Sequence, residues 1–293
     1  MKPALLIVVA SILFLSACGG GSGQPASPTK VSAYIQNKGS DTIVNLALAW
    51  AERYQSEHPD ISISVTGGGS GTGIAALING TVDIANASRA MTADEIKQAK
   101  ANGVTPVEFV ISRDAIAVVV NPENSVRRLT LQQISDIYSG KINNWTGVGG
   151  EDRPIVRLSR ETNSGTHVYF LQTVIRLGDS KNTTLFSTDT LLLPSSEGII
   201  NEVRQNPNAI GYDGLGYIPP DLTNSVIAVA RDASGPYVVP SIATVNDNSY
   251  PVARDLYMYT AGEPSGAIKD YLNWILSPEA QTIVAKLGFV PVK

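Results

Sequence analysis

Cysteine is nearly absent from this chain: Cys18 is the single one among 293 residues. No intrachain disulfide can form, so the mature fold must rest on packing. Histidine is almost as scarce, with only His58 and His167. Two imidazoles and one thiol do not supply the ligand set of an ordinary zinc site, and no metal or cofactor is expected. Charged residues make up 16% of the chain, without a long run of either sign, and the formal net charge is −4. Such a surface offers no basic field to nucleic acid or acidic lipid. It would weakly repel an anion at long range, so an anion site here has to work through local dipoles and hydrogen bonds. Familiar nucleotide and catalytic motifs are missing too. The glycine run Gly67–Gly73 lacks the Lys-Ser/Thr of a phosphate loop and does not fit G-x-G-x-x-G. It is not a nucleophile elbow, because Thr72 stands where the last glycine of G-x-S-x-G belongs. No base accompanies any loop serine, so an enzyme is not expected.

What is present begins with an export signal. Lys2 forms a short positive region, and Ala4 to Leu15 is an apolar run too short to span a bilayer. The run ends in Leu15-Ser16-Ala17-Cys18, which resembles a bacterial lipoprotein lipobox. That resemblance implies removal of residues 1–17 and acylation of Cys18, which gives the lone thiol a purpose. The following GGGSGQPASPTK, rich in Gly, Ser and Pro, reads as a flexible tether over 18–30. The expected location is therefore the cell envelope, extracytoplasmic, with a lipid anchor in the membrane.

From Val31 onward short apolar strands alternate with helical patterns, the signature of an α/β fold with parallel strands. Strands are predicted at 31–36, 61–65, 82–85, 107–111, 115–120, 155–159, 209–212 and 257–260. Helices are predicted at 42–56, 71–79, 92–102, 130–138, 165–175, 195–206, 267–276 and 278–287. Thr92 with Glu95 three residues later is a capping box. Trp50, Trp145 and Trp274 read as core or surface packing, His58 as solvated, and His167 as a packing residue close to a glycine-rich loop.

Four loops share one design, with Ser, Thr or Gly between a strand and a helix start: Lys38–Thr42, Gly67–Gly73, Ala87–Arg89 and Arg160–Thr166. A helix start carries unpaired N–H groups and about half a positive charge, which makes an anion site without net charge. Glycine lets the backbone approach a tetrahedral oxyanion, and hydroxyls add donors that reorient. Each loop alone is accounted for by helix capping. Capping does not call for so many glycines or for Arg89 and Arg160.

The stretches GSDT (39–42), GGGSGTG (67–73), VDIANASR (82–89), DAIAVVVN (114–121), SRETNSGT (159–166), AIGYDGLGY (209–217) and YLNWILSPEAQ (271–281) carry a resemblance. Together they resemble the phosphate-binding proteins of phosphate-specific ABC importers, the PstS-like family within the periplasmic binding proteins. The resemblance implies a two-lobed fold of type II, with mixed sheets flanked by helices and the ligand in a cleft between lobes. It implies lobe 1 at 31–112 plus 251–293 and lobe 2 at 113–250, with crossings near Ser112 and near Tyr250 to Leu256 and hinge closure over the ligand. Carried over by position, it implies phosphate ligands at Ser40, Asp41, Thr42, Ser70, Gly71, Ser88, Arg89, Arg160, Ser164, Gly165 and Thr166, with Arg160 bidentate. Membrane-embedded ABC permease subunits are the implied partner, nucleic acid is not, and a monomer is expected. One departure stands out. The family carries an acidic proton acceptor after the serine that matches Ser88, and this chain has Arg89. The acceptor is then expected elsewhere, at Asp41, unless Asp41 only caps its helix and Arg89 points to solvent. Another oxyanion (sulfate, molybdate or tungstate), a phosphate-ester hydrolase and a membrane-tethered sensor or adhesin domain without transport are the rival readings.

Overall fold

The computed structural model describes residues 31–292, and the export signal, Cys18 and the tether lie outside the described residues. In chain order the elements are β1 (Ala33–Gly39), α1 (Asp41–Glu57), β2 (Ile61–Thr66), α2 (Ser70–Ile78), β3 (Ile84–Ala87), α3 (Ala93–Ala101) and β4 (Val107–Val120). Next come β5 (Arg128–Thr130), α4 (Leu131–Tyr138), β6 (Val156–Arg160), α5 (Gly165–Phe170), β7 (Leu191–Leu193) and α6 (Ser196–Gln205). The chain finishes with β8 (Ala209–Gly214), β9 (Ala228–Ala230), α7 (Ile242–Asn246), β10 (Ala253–Thr260), α8 (Gly266–Ile275) and α9 (Pro278–Lys286).

Local chemistry explains most boundaries. Helix α1 buries Ile43, Leu46, Ala47, Trp50, Ala51 and Tyr54, the spacing of one helical face. It stops at His58, which precedes Pro59, and the residue before a proline is pushed out of the helical region. The predicted capping box is formed: Thr92 Oγ1 accepts the Glu95 N–H and the Glu95 carboxylate accepts the Thr92 N–H. Helix α4 opens with the same device, Thr130 with Gln133. The predicted helix at 165–175 is helical throughout, but after Phe170 it widens into a π-helical turn, Leu171–Ile175.

The strands form one eight-stranded mixed sheet in the order β2-β1-β3-β10-β4-β8-β6-β7, flanked by helices, and β5 pairs with β9 separately. Two large apolar cores pack on it. One gathers Ile35, Leu46, Trp50, Ile84, Ile111, Leu256, Met258, Tyr271 and Phe289. The other gathers Ile116, Val118, Tyr138, Trp145, Phe170, Ile210, Tyr212, Tyr250 and Val252. The sequence separates 107–111 from 115–120 because Ser112-Arg113-Asp114 interrupts the apolar run. The structure carries one continuous strand through, as the family resemblance implies for Val107 to Val120, so β4 serves the first core with Ile111 and the second with Ala115, Ile116, Val118 and Val120. Its partner β10 shifts register between Leu256 and Tyr257, at the same level.

Helix α2 lies against β1 backbone to backbone. A Cβ on Gly73 would stand 2.5 Å from the Lys38 carbonyl oxygen and 2.6 Å from the Gly39 Cα. Gly73→Ala gains about 1 kcal/mol of helix propensity. Backbone cannot give way as a flexible side chain would, and overpacking costs about 1–3 kcal/mol. The expected net result in urea unfolding is a loss of stability, and an equal or higher midpoint would refute the close α2–β1 contact.

Candidate functional site

The starts of α1, α2 and α5 and the end of β3 come together. Ser40 is the N-cap of α1, Ser70 the first residue of α2 and Ser164 the N-cap of α5. Thr42 and Thr166, 124 positions apart, join hydroxyl to hydroxyl at 2.8 Å. The Ser88 N–H donates to Ser70 Oγ at 3.0 Å, and the two hydroxyls lie 3.2 Å apart. Gly165 packs on this pair so closely that a Cβ there would stand 2.3 Å from Ser70 Oγ and 2.6 Å from Ser88 Oγ. Glycine is required here by the approach of another chain segment rather than by its own φ. Ser40, Thr42, Ser70, Ser88, Arg160, Ser164 and Thr166 are all buried. The Ser40 hydroxyl and Arg160 Nε are buried donors with no protein partner among the described residues. A buried donor left unpaired costs about 1–3 kcal/mol, so donors of this kind mark a site that a ligand oxygen would complete.

Arg160, at the end of β6, is a buried cation beside these loops, and it is heavily engaged. Nη1 donates to Ser196 Oγ at 2.8 Å and Nη2 to the Pro194 carbonyl at 2.8 Å. Asp41 Oδ2 lies 3.1 Å from Nη2, and Asp213 Oδ2 lies 3.8 Å from Nη1. Both terminal nitrogens therefore face protein acceptors, where the sequence suggests a bidentate grip on the ligand. Ser196 ties the two carboxylates together: its N–H donates to Asp41 Oδ2 at 2.9 Å and its hydroxyl to Asp213 Oδ1 at 3.0 Å. Asp41 thus closes on Arg160 as well as opening α1.

Two predicted ligands stand differently from expectation. Arg89 neither faces the cluster nor points to solvent. Its guanidinium makes a bidentate pair with Glu95 at 2.7 and 2.8 Å, using the same carboxylate that closes the α3 capping box. The Gly71 N–H is already spent, donating to the Asn163 carbonyl at 3.0 Å. His167 packs as predicted, with its ring stacked on Phe186 and Nδ1 at 3.0 Å from Ser159 Oγ, and burial lowers its pKa. Sequence reasoning missed Ser196, Pro194 and Asp213. The signals were there in the Ser195-Ser196 helix start and in AIGYDG, but the fold alone brings them to Arg160. A cavity of about 560 Å³ lined by Arg89, Met91, Tyr169, Arg254 and Tyr257 lies beside the cluster, and both of its arginines are neutralised by carboxylates. Among the described residues no group of His, Cys, Asp and Glu could hold a metal ion.

Asp213 is fully buried, and its Oδ2 has no hydrogen-bond partner among the described residues. Burial pushes its carboxyl from the ordinary 3.8 up to about 6, against the opposing pull of Arg160. A raised carboxyl pKa means that the stability it lends is fully present below pH 3.8 and is lost as pH rises through about 6. The loss is on the order of 3 kcal/mol. Asp213→Asn has no proton to lose. In thermal melts of the ligand-free protein, the variant's Tm relative to the parent is expected to climb between pH 4 and pH 7. A pH-independent difference would show that Asp213 is ionised across that range.

The chain resembles known proteins along nearly its whole length. Residues 24–279 match the profile of the PBP superfamily domain. The phosphate-binding protein PstS of Bacillus subtilis is 29% identical over 300 residues, covering 99% of this chain and 94% of that one. A Clostridium perfringens protein, described as a phosphate ABC transporter substrate-binding protein and solved with bound phosphate, is 34% identical. It covers 89% of this chain and 100% of its own, with a TM-score of 0.77. An ABC-type phosphate transport receptor from Vibrio cholerae, 26% identical, covers 88% of this chain and 99% of its own, with a TM-score of 0.70. Sequence, fold and the convergence of helix starts agree, and the chain belongs to the PBP superfamily as a PstS-like member of it.

Proposed function

We propose that this protein captures inorganic phosphate between two lobes, 31–112 plus 251–293 and 113–250, and delivers it to the membrane subunits of an ABC importer. The observation that carries the reading is the meeting of three helix starts with Arg160 and the unpaired Ser40 hydroxyl. Each element supplies donors, and the phosphate-bound relative gives the chemistry a ligand of the right shape. In this reading Ser40, Thr42, Ser70, Ser88, Ser164 and Thr166 offer hydroxyls. The first N–H groups of α1 and α5, including that of Gly165, add backbone donors, and Arg160 adds charge-assisted bonds from a held guanidinium. Arg89 and the Gly71 N–H, engaged elsewhere, are left out of this set. The site binds and releases without bond chemistry.

Selectivity is assigned to Asp41. Its Oδ2 is held by Ser196 and Arg160, which fixes the carboxylate and leaves Oδ1, beside the Gly67 backbone, as an acceptor for a ligand proton. Phosphate carries such a proton near neutral pH and sulfate does not. A buried acceptor facing a ligand without that proton stays unpaired, which costs several kcal/mol of discrimination.

Cys18 is assigned the lipid anchor and 18–30 the tether, on the lipobox resemblance. Among the described residues no helix is long and apolar enough to cross a membrane. Labelling of expressing cells with radioactive palmitate is expected to tag the parent protein and not Cys18→Ala, and equal labelling would remove this assignment.

Calorimetry of residues 31–293 against phosphate, sulfate and molybdate tests the function. Tight phosphate binding is expected, with sulfate at least about a hundredfold weaker. In Asp41→Asn that preference should narrow by about tenfold or more. Absence of phosphate binding overturns the function, and unchanged selectivity in the variant removes Asp41 from its role.

A further inference from the structure

The interrupted apolar run of β4 holds a second buried ion pair, behind the ligand donors. Asp114 of β4 and Arg254 of β10 are direct partners across the antiparallel ladder. Arg254 Nε and Nη2 donate to Asp114 Oδ2 at 3.3 and 2.9 Å, and the two side chains are 2% and 0% exposed. The third nitrogen, Nη1, donates to the Ser88 carbonyl at 2.9 Å. On the far side, Asp114 Oδ1 accepts the Leu215 N–H at 3.1 Å. Arg254 also lies over the Tyr169 ring at 5.7 Å, and the Tyr169 hydroxyl donates to the neighbouring Ala253 carbonyl at 2.6 Å. One ion pair thus touches β4, β10, the end of β3, the turn after β8 and α5, at the level where β4 passes from one core to the other.

A buried pair of this kind is a weak source of stability, because desolvating both charges offsets their attraction. Its geometry says what it is for. A guanidinium presents a rigid fork that grips a carboxylate with one edge and a carbonyl with the remaining nitrogen, which a lysine ammonium cannot do. Pulling on the Ser88 carbonyl fixes the Ser88–Arg89 peptide. On one side of that peptide the Ser88 N–H and hydroxyl face Ser70, and on the other the Arg89 side chain runs to Glu95. We infer that Arg254, held by Asp114, is a positioning residue that sets Ser88 in the binding site and ties its orientation to the two strands that join the cores.

This inference rests on the phosphate reading for its affinity test and has a second readout that does not. In calorimetry, Arg254→Met is expected to weaken phosphate binding by about tenfold, and Ser88→Ala to weaken it as well. The Arg254→Met effect should fall below about threefold in the Ser88→Ala background, because it acts through Ser88. Additive losses, or no loss in Arg254→Met, overturn the inference while leaving phosphate capture standing. Arg254→Lys serves where the methionine variant gives no cooperative melt, since it keeps the charge beside Asp114 but loses the fork. Hydrogen exchange without ligand is the independent measurement. Amides of 84–92 should exchange faster in Arg254→Lys while those of α9 keep their parent rates. Unchanged exchange at 84–92, or faster exchange throughout, overturns the positioning role whether or not phosphate binds.

Discussion

The site is organised by a single guanidinium that is held by the protein before any ligand arrives. Arg160 lies between two carboxylates, with Ser196 hydrogen-bonded to both of them and to Arg160 itself. Asp41 belongs to α1 and Asp213 to β8, so the arginine on β6 ties together elements far apart in sequence. The charge balance that results is instructive. One cation facing two carboxylates, one of them with its pKa raised by burial, leaves no surplus positive charge for an anion. Affinity must then come from oriented N–H and O–H dipoles, which fits a chain whose net charge is −4. Arg160 contributes fixed geometry, and its carboxylates keep it from moving to meet whichever anion arrives.

Dipoles act only over short distances, and that explains the glycines. Gly165 lets the start of α5 reach the Ser70 and Ser88 hydroxyls, and Gly73 lets α2 lie directly on β1. Gly69 has a φ of 92°, in the left-handed region, and a Cβ there would stand 2.8 Å from the Asn163 carbonyl oxygen. These residues are small because other segments press against them. Removing side-chain bulk lets helix starts crowd together until the donors of one fall within reach of the next.

The sequence makes the local part of this legible. Helix caps, glycine runs and strand–helix alternation depend on neighbours a few positions away, so Ser40, Ser70, Arg160 and Ser164 can be singled out by eye. Long-range pairing escapes it. Asp213 and Ser196 look like ordinary loop and cap residues until the sheet order places β8 beside β6. Ser112-Arg113-Asp114 reads as a break between two strands because a polar triplet interrupts an apolar run. Asp114 is accommodated inside one strand only because Arg254 lies opposite on β10. Arg89 is a different case, since its partner Glu95 is only six positions away. The capping box uses only Oε2 of that carboxylate and hides the fact that both oxygens together can still take a guanidinium.

Two of the buried arginines, Arg160 and Arg254, divide the work by their surroundings. Arg160 has an unpaired Nε and lies among hydroxyls, so a ligand oxygen can still join its shell. Arg254 has a protein acceptor at each of its three nitrogens, and none of them stands unpaired. An arginine held at every nitrogen orients what it touches, and what Arg254 touches is the Ser88 carbonyl and Asp114. In the proposed reading the same residue type serves recognition in one place and alignment in the other, and what each guanidinium touches separates the two roles.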